Sequence, residues 1–233
     1  MTEFRPGRFE ILPTVVKNLM IINVLVFVAQ NVIQPSSGIN IDDTFALHTW
    51  QSPLFKPWQF VTYMFMHADF FHILSNMFVL WMFGSALENV WGPKRFLTFY
   101  IVSGLGAALC HMIVLYFENQ PIVAEFYSLS ISQQKFYENN FFQILNQSTI
   151  GASGAVFGCL AAFGYLFADT YIYIYFLFPL KAKWFVLIYT GIELFSTFQN
   201  SAGDNVAHVA HLGGALAGFL LVYFWNKTNR RTY

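Results

Sequence analysis

Apolar residues gather along this chain in six stretches of about 15 to 22 residues, each close to the length that a helix needs to cross roughly 30 Å of hydrocarbon. They run from about Asn18 to Ile33, Phe70 to Leu87, Phe96 to Phe117, Ile150 to Phe167, Trp184 to Phe198 and Val206 to Trp225. In lipid every backbone N–H and C=O must be satisfied within the protein, so helices are the expected form of these spans. The pattern predicts an all-α, polytopic membrane protein: one six-helix transmembrane bundle over residues 1–233 with short terminal tails and no separate soluble domain. The first span follows a charged head without a small-residue cleavage site, which reads as a retained signal anchor. The shorter run from Tyr171 to Leu180 alternates aromatic with β-branched residues and stops at Pro179, as expected of a connector at the membrane surface. Between the third and fourth spans, Phe117 to Ile150 reads as a long loop with aromatics at near-helical spacing, placed to cap a site or to touch a substrate.

Composition agrees with a lipid environment, because only 10% of residues are charged while 56% are hydrophobic and 20% aromatic, against about 25% charged in soluble domains. The net charge of zero carries no nucleic-acid signal, and Cys110 and Cys159 both lie within apolar spans, where a structural disulfide is not expected. Ten of the twelve basic residues, Arg5, Arg8, Lys17, Lys94, Arg95, Lys181, Lys183, Lys227, Arg230 and Arg231, fall on one side of a six-span chain, with Lys56 and Lys135 on the other. Loops left in the cytoplasm are enriched in Lys and Arg, so both termini are expected there and the even-numbered helices run inward from the outside.

That direction puts His72, Asn76, Ser153 and His211 within roughly 10 Å of the outer ends of their helices, at about 1.5 Å rise per residue. Polar side chains at membrane depth are costly and mark functional sites, and water could reach this depth through a cavity. A serine with a histidine is a nucleophile with its base. His72 and Asn76 stand at i and i+4 on one helical face, so both can aim hydrogen-bond donors at one spot, joined by the backbone N–H of Ser153. Gly151 and Gly154 beside Ser153 let another backbone approach closely, and Phe157, one turn on, can stack on the imidazole of His211 and orient it. Asp204 precedes the sixth helix and Glu193 lies well inside the fifth; no carboxylate is expected to complete a triad, and a Ser/His dyad is the simpler reading.

Taken together, His72-x-x-x-Asn76, Gly84-x-x-x-Glu88-x-x-x-Gly92, Gly151-x-Ser153-Gly154 and Ala210-His211-x-x-Gly214-x-x-x-Gly218 resemble the motifs of rhomboid intramembrane serine proteases. The resemblance implies cleavage of membrane-anchored proteins within or beside their transmembrane segment. It also implies Ser153 as nucleophile, His211 as base and the His72/Asn76 pair as holders of the oxyanion. Transmembrane protein substrates and membrane lipids are the expected partners, no cofactor or metal is expected, and the bacterial inner membrane is the expected location. The chain departs from the pattern at Trp58-Gln59, where many members carry Trp-Arg, and in the doublet AHVAHLGG, which offers His208 as well as His211. His211 has the family's glycine spacing behind it and is favoured as base; His208 is placed to line the cavity mouth.

Plainer roles fit the remaining residues. The glycines of the fourth and sixth helices suit close helix packing; Glu88, near Lys94 and Arg95, suits a structural hydrogen bond. His67 is expected to support the loop before the second helix, His48 to sit in a loop and His111 to lie in the third helix without an assigned partner. Three other function classes stay open: a metal-dependent protease, for which H-E-x-x-H is absent although His72, His208 and His211 offer ligands; a transporter or proton channel; and a rhomboid-like protein that binds without cutting. The fifth helix, with Gly191, is a candidate gate for lateral substrate entry.

Overall fold

The computed structural model describes residues 9–38, 40–174, 178–197 and 205–228. Arg5, Arg8, Arg230 and Arg231 of the charge bias, Asp204 and the end of the fifth span at Phe198 lie outside the described residues.

The first long helix, α1 (Thr14–Ser37), opens at Pro13 without a side-chain cap of its own. Its first N–H groups have no intrahelical acceptor. Glu88, 4% exposed, supplies one, its carboxylate accepting the Val15 and Val16 N–H at 2.9 and 2.8 Å. A negative charge at this end also matches the helix dipole. Glu88 is thus a cap that ties the inner end of the second span to the first.

The chain then folds into a compact loop of α2 (Ile41–Phe45), β1 (Leu47–His48), α3 (Gln59–Thr62) and a 3₁₀ turn at Tyr63–Phe65. Gln59, the residue after Trp58, is fully buried. Its amide donates to the Leu54 carbonyl at 2.9 Å, and its oxygen accepts the Lys56 and His48 N–H at 3.1 and 3.3 Å. Neighbouring Trp58 donates its indole N–H to the Thr44 carbonyl at 2.9 Å, so this loop is anchored by neutral groups.

The second span is one rod, Phe70–Trp91, made of α4 (Phe70–Val79), a π-helical turn at Leu80–Gly84 and α5 (Ser85–Trp91). It starts on an Asp69 cap that accepts the His72 N–H at 2.9 Å and ends at Gly92, whose φ of 77° stops the helix.

The region after Phe117 differs from the sequence expectation of a long loop. Helix α6 (Pro93–Ser128) runs 36 residues, passing Pro121, and α7 (Ile131–Leu145) folds back on it through a stacked Phe126–Phe141 pair at 3.9 Å. The near-helical spacing of aromatics in this stretch belongs to a helical hairpin. Beyond it, β2 (Ser148–Thr149) pairs antiparallel with β1, setting Leu47 opposite Thr149 and holding the chain just ahead of Ser153.

The remaining elements are α8 (Ser153–Leu166), a β-hairpin of β3 (Tyr171–Ile174) and β4 (Phe178–Lys181), α9 (Ala182–Thr197) and α10 (Asn205–Thr228). The connector expected at Tyr171–Leu180 is thus a pair of strands, in which alternation of side chains is the natural pattern. Four helices among the described residues are long and apolar enough to cross a membrane: Thr14–Ile33, Phe70–Trp91, Pro93–Ser128 and His208–Thr228. Helices α8 and α9, with 14 and 16 residues, are shorter. The molecule is an all-α, multi-pass integral membrane protein, and α9 turns Leu187, Ile188, Ile192 and Phe195 outward, as a lipid-facing helix does.

Helices α6, α8 and α10 form the centre, and glycines set their spacing. A Cβ on Gly214 would fall on the Gly154 carbonyl, and one on Gly218 would lie 2.7 Å from the Gly158 Cα. Where lipid provides no hydrophobic drive between helices, such close backbone contact is what holds them.

Candidate active site

Ser153 is the first residue of α8, presented by a loop whose shape requires glycine: Gly151 has φ of 137°, and its N–H donates to the Tyr63 carbonyl at 2.9 Å. Buried Tyr63 donates its hydroxyl to the Gly104 carbonyl at 2.8 Å, fastening this loop to α6. The glycine contact between α8 and α10 then brings the start of α8 against the second turn of α10. There His211 Nε2 stands 2.9 Å from Ser153 Oγ. Phe157 lies parallel to the His211 ring, at 4.3 Å between centroids and 6° between planes, and also meets the Tyr189 ring of α9 at 5.4 Å between centroids.

His72 reaches the same spot from α4. Its Nδ1 accepts the Ala68 N–H at 3.3 Å, so in the neutral ring the proton sits on Nε2. That nitrogen faces the Gly151 backbone: a Cβ built there would be 2.9 Å from His72 Nε2 and 3.4 Å from Ser153 Oγ. Buried Asn76, one turn along, donates to the His72 carbonyl at 2.9 Å. A cavity of about 290 Å³ opens in front of these groups, lined by His72, Asn76, Ser153 and His211 at one end and by Phe78, Met82, Phe185 and Tyr189 farther in. The arrangement combines a hydroxyl on an imidazole nitrogen, donors from a separate helix and an apolar recess between α4 and α9.

The structure corrects the expectation that no carboxylate stands near the pair. Glu193 Oε2 lies 3.1 Å from His211 Nδ1 and 2.6 Å from His208 Nδ1. Depth along α9 argued against Glu193 in the sequence, yet α9 packs beside α10 so that Glu193, the twelfth of its 16 residues, meets the second turn of that helix. His208 therefore lies beside the glutamate. Among the described residues Glu193, His208 and His211 also form the one group whose ligand atoms could share a metal ion; His72 is not part of it.

The other histidines hold loops. His48 is buried, Nδ1 lying 3.1 Å from the Asn146 carbonyl and Nε2 3.3 Å from that of Asp42, which joins the loop after α1 to the segment before β2. His111, expected without an assigned partner, pairs with Thr149 Oγ1 at 2.6 Å. His67 is buried edge-on to His72, 4.9 Å between ring centroids; burial, and then the charge His72 can carry, lower its pKa to about 4.

Known proteins resemble this chain in sequence. The family model described as Rhomboid domain matches residues 54–227. Rhomboid protein 1, mitochondrial, of Saccharomyces cerevisiae is 28% identical over 221 residues, covering 85% of this chain and 54% of the yeast protein. Rhomboid-like protein 11, chloroplastic, of Arabidopsis thaliana is 31% identical over 185 residues, 74% of this chain and 54% of that protein. Rhomboid protease AarA of Providencia stuartii is 27% identical over 166 residues, 70% of this chain and 54% of its own length. The chain thus spans about half the length of each of these three relatives.

Proposed function

The chain belongs to the rhomboid family, and on that premise we propose that it is an intramembrane serine endopeptidase that cleaves membrane-anchored proteins within or next to their transmembrane segment. The observation that carries this reading is the 2.9 Å approach of His211 Nε2 to Ser153 Oγ at one end of a cavity between helices.

In the proposed reaction Ser153 Oγ attacks the carbonyl carbon of the scissile bond while its proton passes to His211 Nε2. The carbonyl oxygen becomes an oxyanion beside His72 Nε2–H, the Asn76 amide and the first N–H of α8. One such donor is worth on the order of 3 kcal/mol in the transition state. The C–N bond then breaks, the leaving amine takes the proton from His211, and the acyl group stays on Ser153. Water then attacks the acyl carbon, losing a proton to His211; the bond to Ser153 Oγ breaks, Oγ takes that proton back, and the acid product leaves.

A transmembrane helix hides its carbonyls in its own hydrogen bonds, so substrates with helix-breaking or small residues near the scissile bond are favoured. Entry between α4 and α9 leads to the recess lined by Phe78, Met82, Phe185 and Tyr189. The names of two relatives place one in mitochondria and one in chloroplasts, and family membership does not select one membrane.

Reconstitution in liposomes with a single-span reporter carrying a Gly- and Pro-containing transmembrane segment tests the proposal. Two reporter fragments are expected from the wild type, none from Ser153→Ala, and no change on adding a chelator. Cleavage that persists in Ser153→Ala, or that stops with chelator, would overturn it.

A further inference from the structure

A carboxylate within an apolar helix demands a partner, because an uncompensated charge at membrane depth is costly. Among the described residues two histidines meet Glu193, which is 7% exposed on α9: its Oε2 lies 2.6 Å from His208 Nδ1 and 3.1 Å from His211 Nδ1. A carboxylate oxygen can only accept, so each of these nitrogens carries the proton in its hydrogen bond. For His211 the consequence is specific. With its proton on Nδ1, the neutral ring presents the Nε2 lone pair, and Nε2 is the atom 2.9 Å from Ser153 Oγ. The alternative tautomer would aim an N–H at the hydroxyl and could not take its proton.

Resting on the serine-protease reading above, we propose that Glu193 is a positioning residue that holds His211 in its productive tautomer and orientation, with His208 as a second donor to the same carboxylate. The stack with Phe157 fixes the plane of the His211 ring but leaves its rotation in that plane and its tautomer open. A hydrogen bond to Nδ1 fixes both. Three helices converge on the base: α8 gives Ser153 and Phe157, α9 gives Glu193 and α10 gives His211 and His208. The negative charge of Glu193 also favours the imidazolium that forms when Ser153 gives up its proton. His208 spans α9 and α10 with a second N–H, so the carboxylate is kept by two donors. The work divides so that Phe157 supplies van der Waals support, Glu193 supplies direction and His208 steadies Glu193.

The test is turnover of the liposome reporter by full-length wild type, Glu193→Gln, Glu193→Asp, Ser153→Ala and His211→Ala, with melting temperatures measured in parallel. Gln keeps the shape of Glu but can turn an amide N–H toward Nδ1, which selects the wrong tautomer. At least about a tenfold fall in kcat is expected for Glu193→Gln, with KM and melting temperature near wild type, and partial recovery in Glu193→Asp, which keeps the carboxylate. Wild-type kcat in Glu193→Gln alongside inactive Ser153→Ala and His211→Ala would overturn the role of Glu193 and leave the protease reading standing. Equal losses in Gln and Asp variants, with raised KM and lowered melting temperature, would also overturn it in favour of a packing role. Inactivation of the wild type by chelator dialysis would overturn the role of Glu193 together with the protease reading it rests on. Full turnover in Ser153→Ala would instead remove the protease reading itself.

Discussion

Gly214 rests directly against Gly154, so close that a Cβ on Gly214 would stand 3.0 Å from the Gly154 Cα and on top of its carbonyl. This contact joins the helix that starts with Ser153 to the helix that carries His211, one residue and three residues away in sequence. The reach between Ser153 and His211 is therefore set by two absent side chains.

Gly214→Ala is accordingly expected to push α8 and α10 apart. Overpacking of this kind costs about 1–3 kcal/mol, and the shift lengthens the Ser153–His211 hydrogen bond. Activity should fall much further than stability, because proton transfer tolerates little extra distance. Reporter cleavage and thermal unfolding of the purified variant, measured together, check this; an active Gly214→Ala protein would show that the contact is dispensable.

Phe157 covers one face of the His211 ring with planes 6° apart. Such ring pairs contribute about 0.5–1.5 kcal/mol beyond the area they bury. Phe157→Leu, which keeps apolar bulk, is expected to lower kcat by up to about tenfold with little change in KM. Steady-state kinetics on a soluble or reconstituted substrate would reveal it.

Glu88 works at a distance from the chemistry, accepting two N–H groups at the start of α1. Glu88→Ala leaves those donors buried and unpaired, at a cost of about 1–3 kcal/mol. A lowered melting temperature is expected, with turnover per folded molecule unchanged. Glu88→Gln keeps one acceptor and should fall between the two.

His67 gives the protein an acid limit. Its folded pKa of about 4 lies below the ordinary value of 6.5 because the buried ring resists charging. Between those values the unfolded chain takes up a proton that the folded chain refuses, so this stability is full above about 6.5 and drains away as pH falls toward 4. Melting temperature measured from pH 7 to 4 should drop, and His67→Phe should flatten the drop. An unchanged slope in that variant would assign the acid sensitivity elsewhere.

Much of this was readable from one-dimensional pattern. Ser153, His211, His72 and Asn76 stand near the ends of apolar spans, and the glycines around them carry a spacing that only close helices need. Phe157 follows from helical period alone. Glu193 was harder, because its partnership depends on how far α9 slides along α10, which no local pattern encodes. Its signal was nonetheless present: a carboxylate within an apolar span is itself a demand for a partner. The hairpin of α6 and α7 was obscured by Pro121, which sits inside α6 where proline usually ends a helix. The strand pair after Tyr171 was visible as alternation but too short to separate from a surface connector.

The most direct measurement is covalent labelling by a fluorophosphonate probe, which reacts with an activated serine hydroxyl, followed by peptide mapping of the adduct. Expected is one adduct on Ser153 in the wild type, abolished in Ser153→Ala and strongly reduced in His211→Ala. Labelling that persists in Ser153→Ala, or that proceeds at the wild-type rate in His211→Ala, would contradict the claim that these two residues act as nucleophile and base.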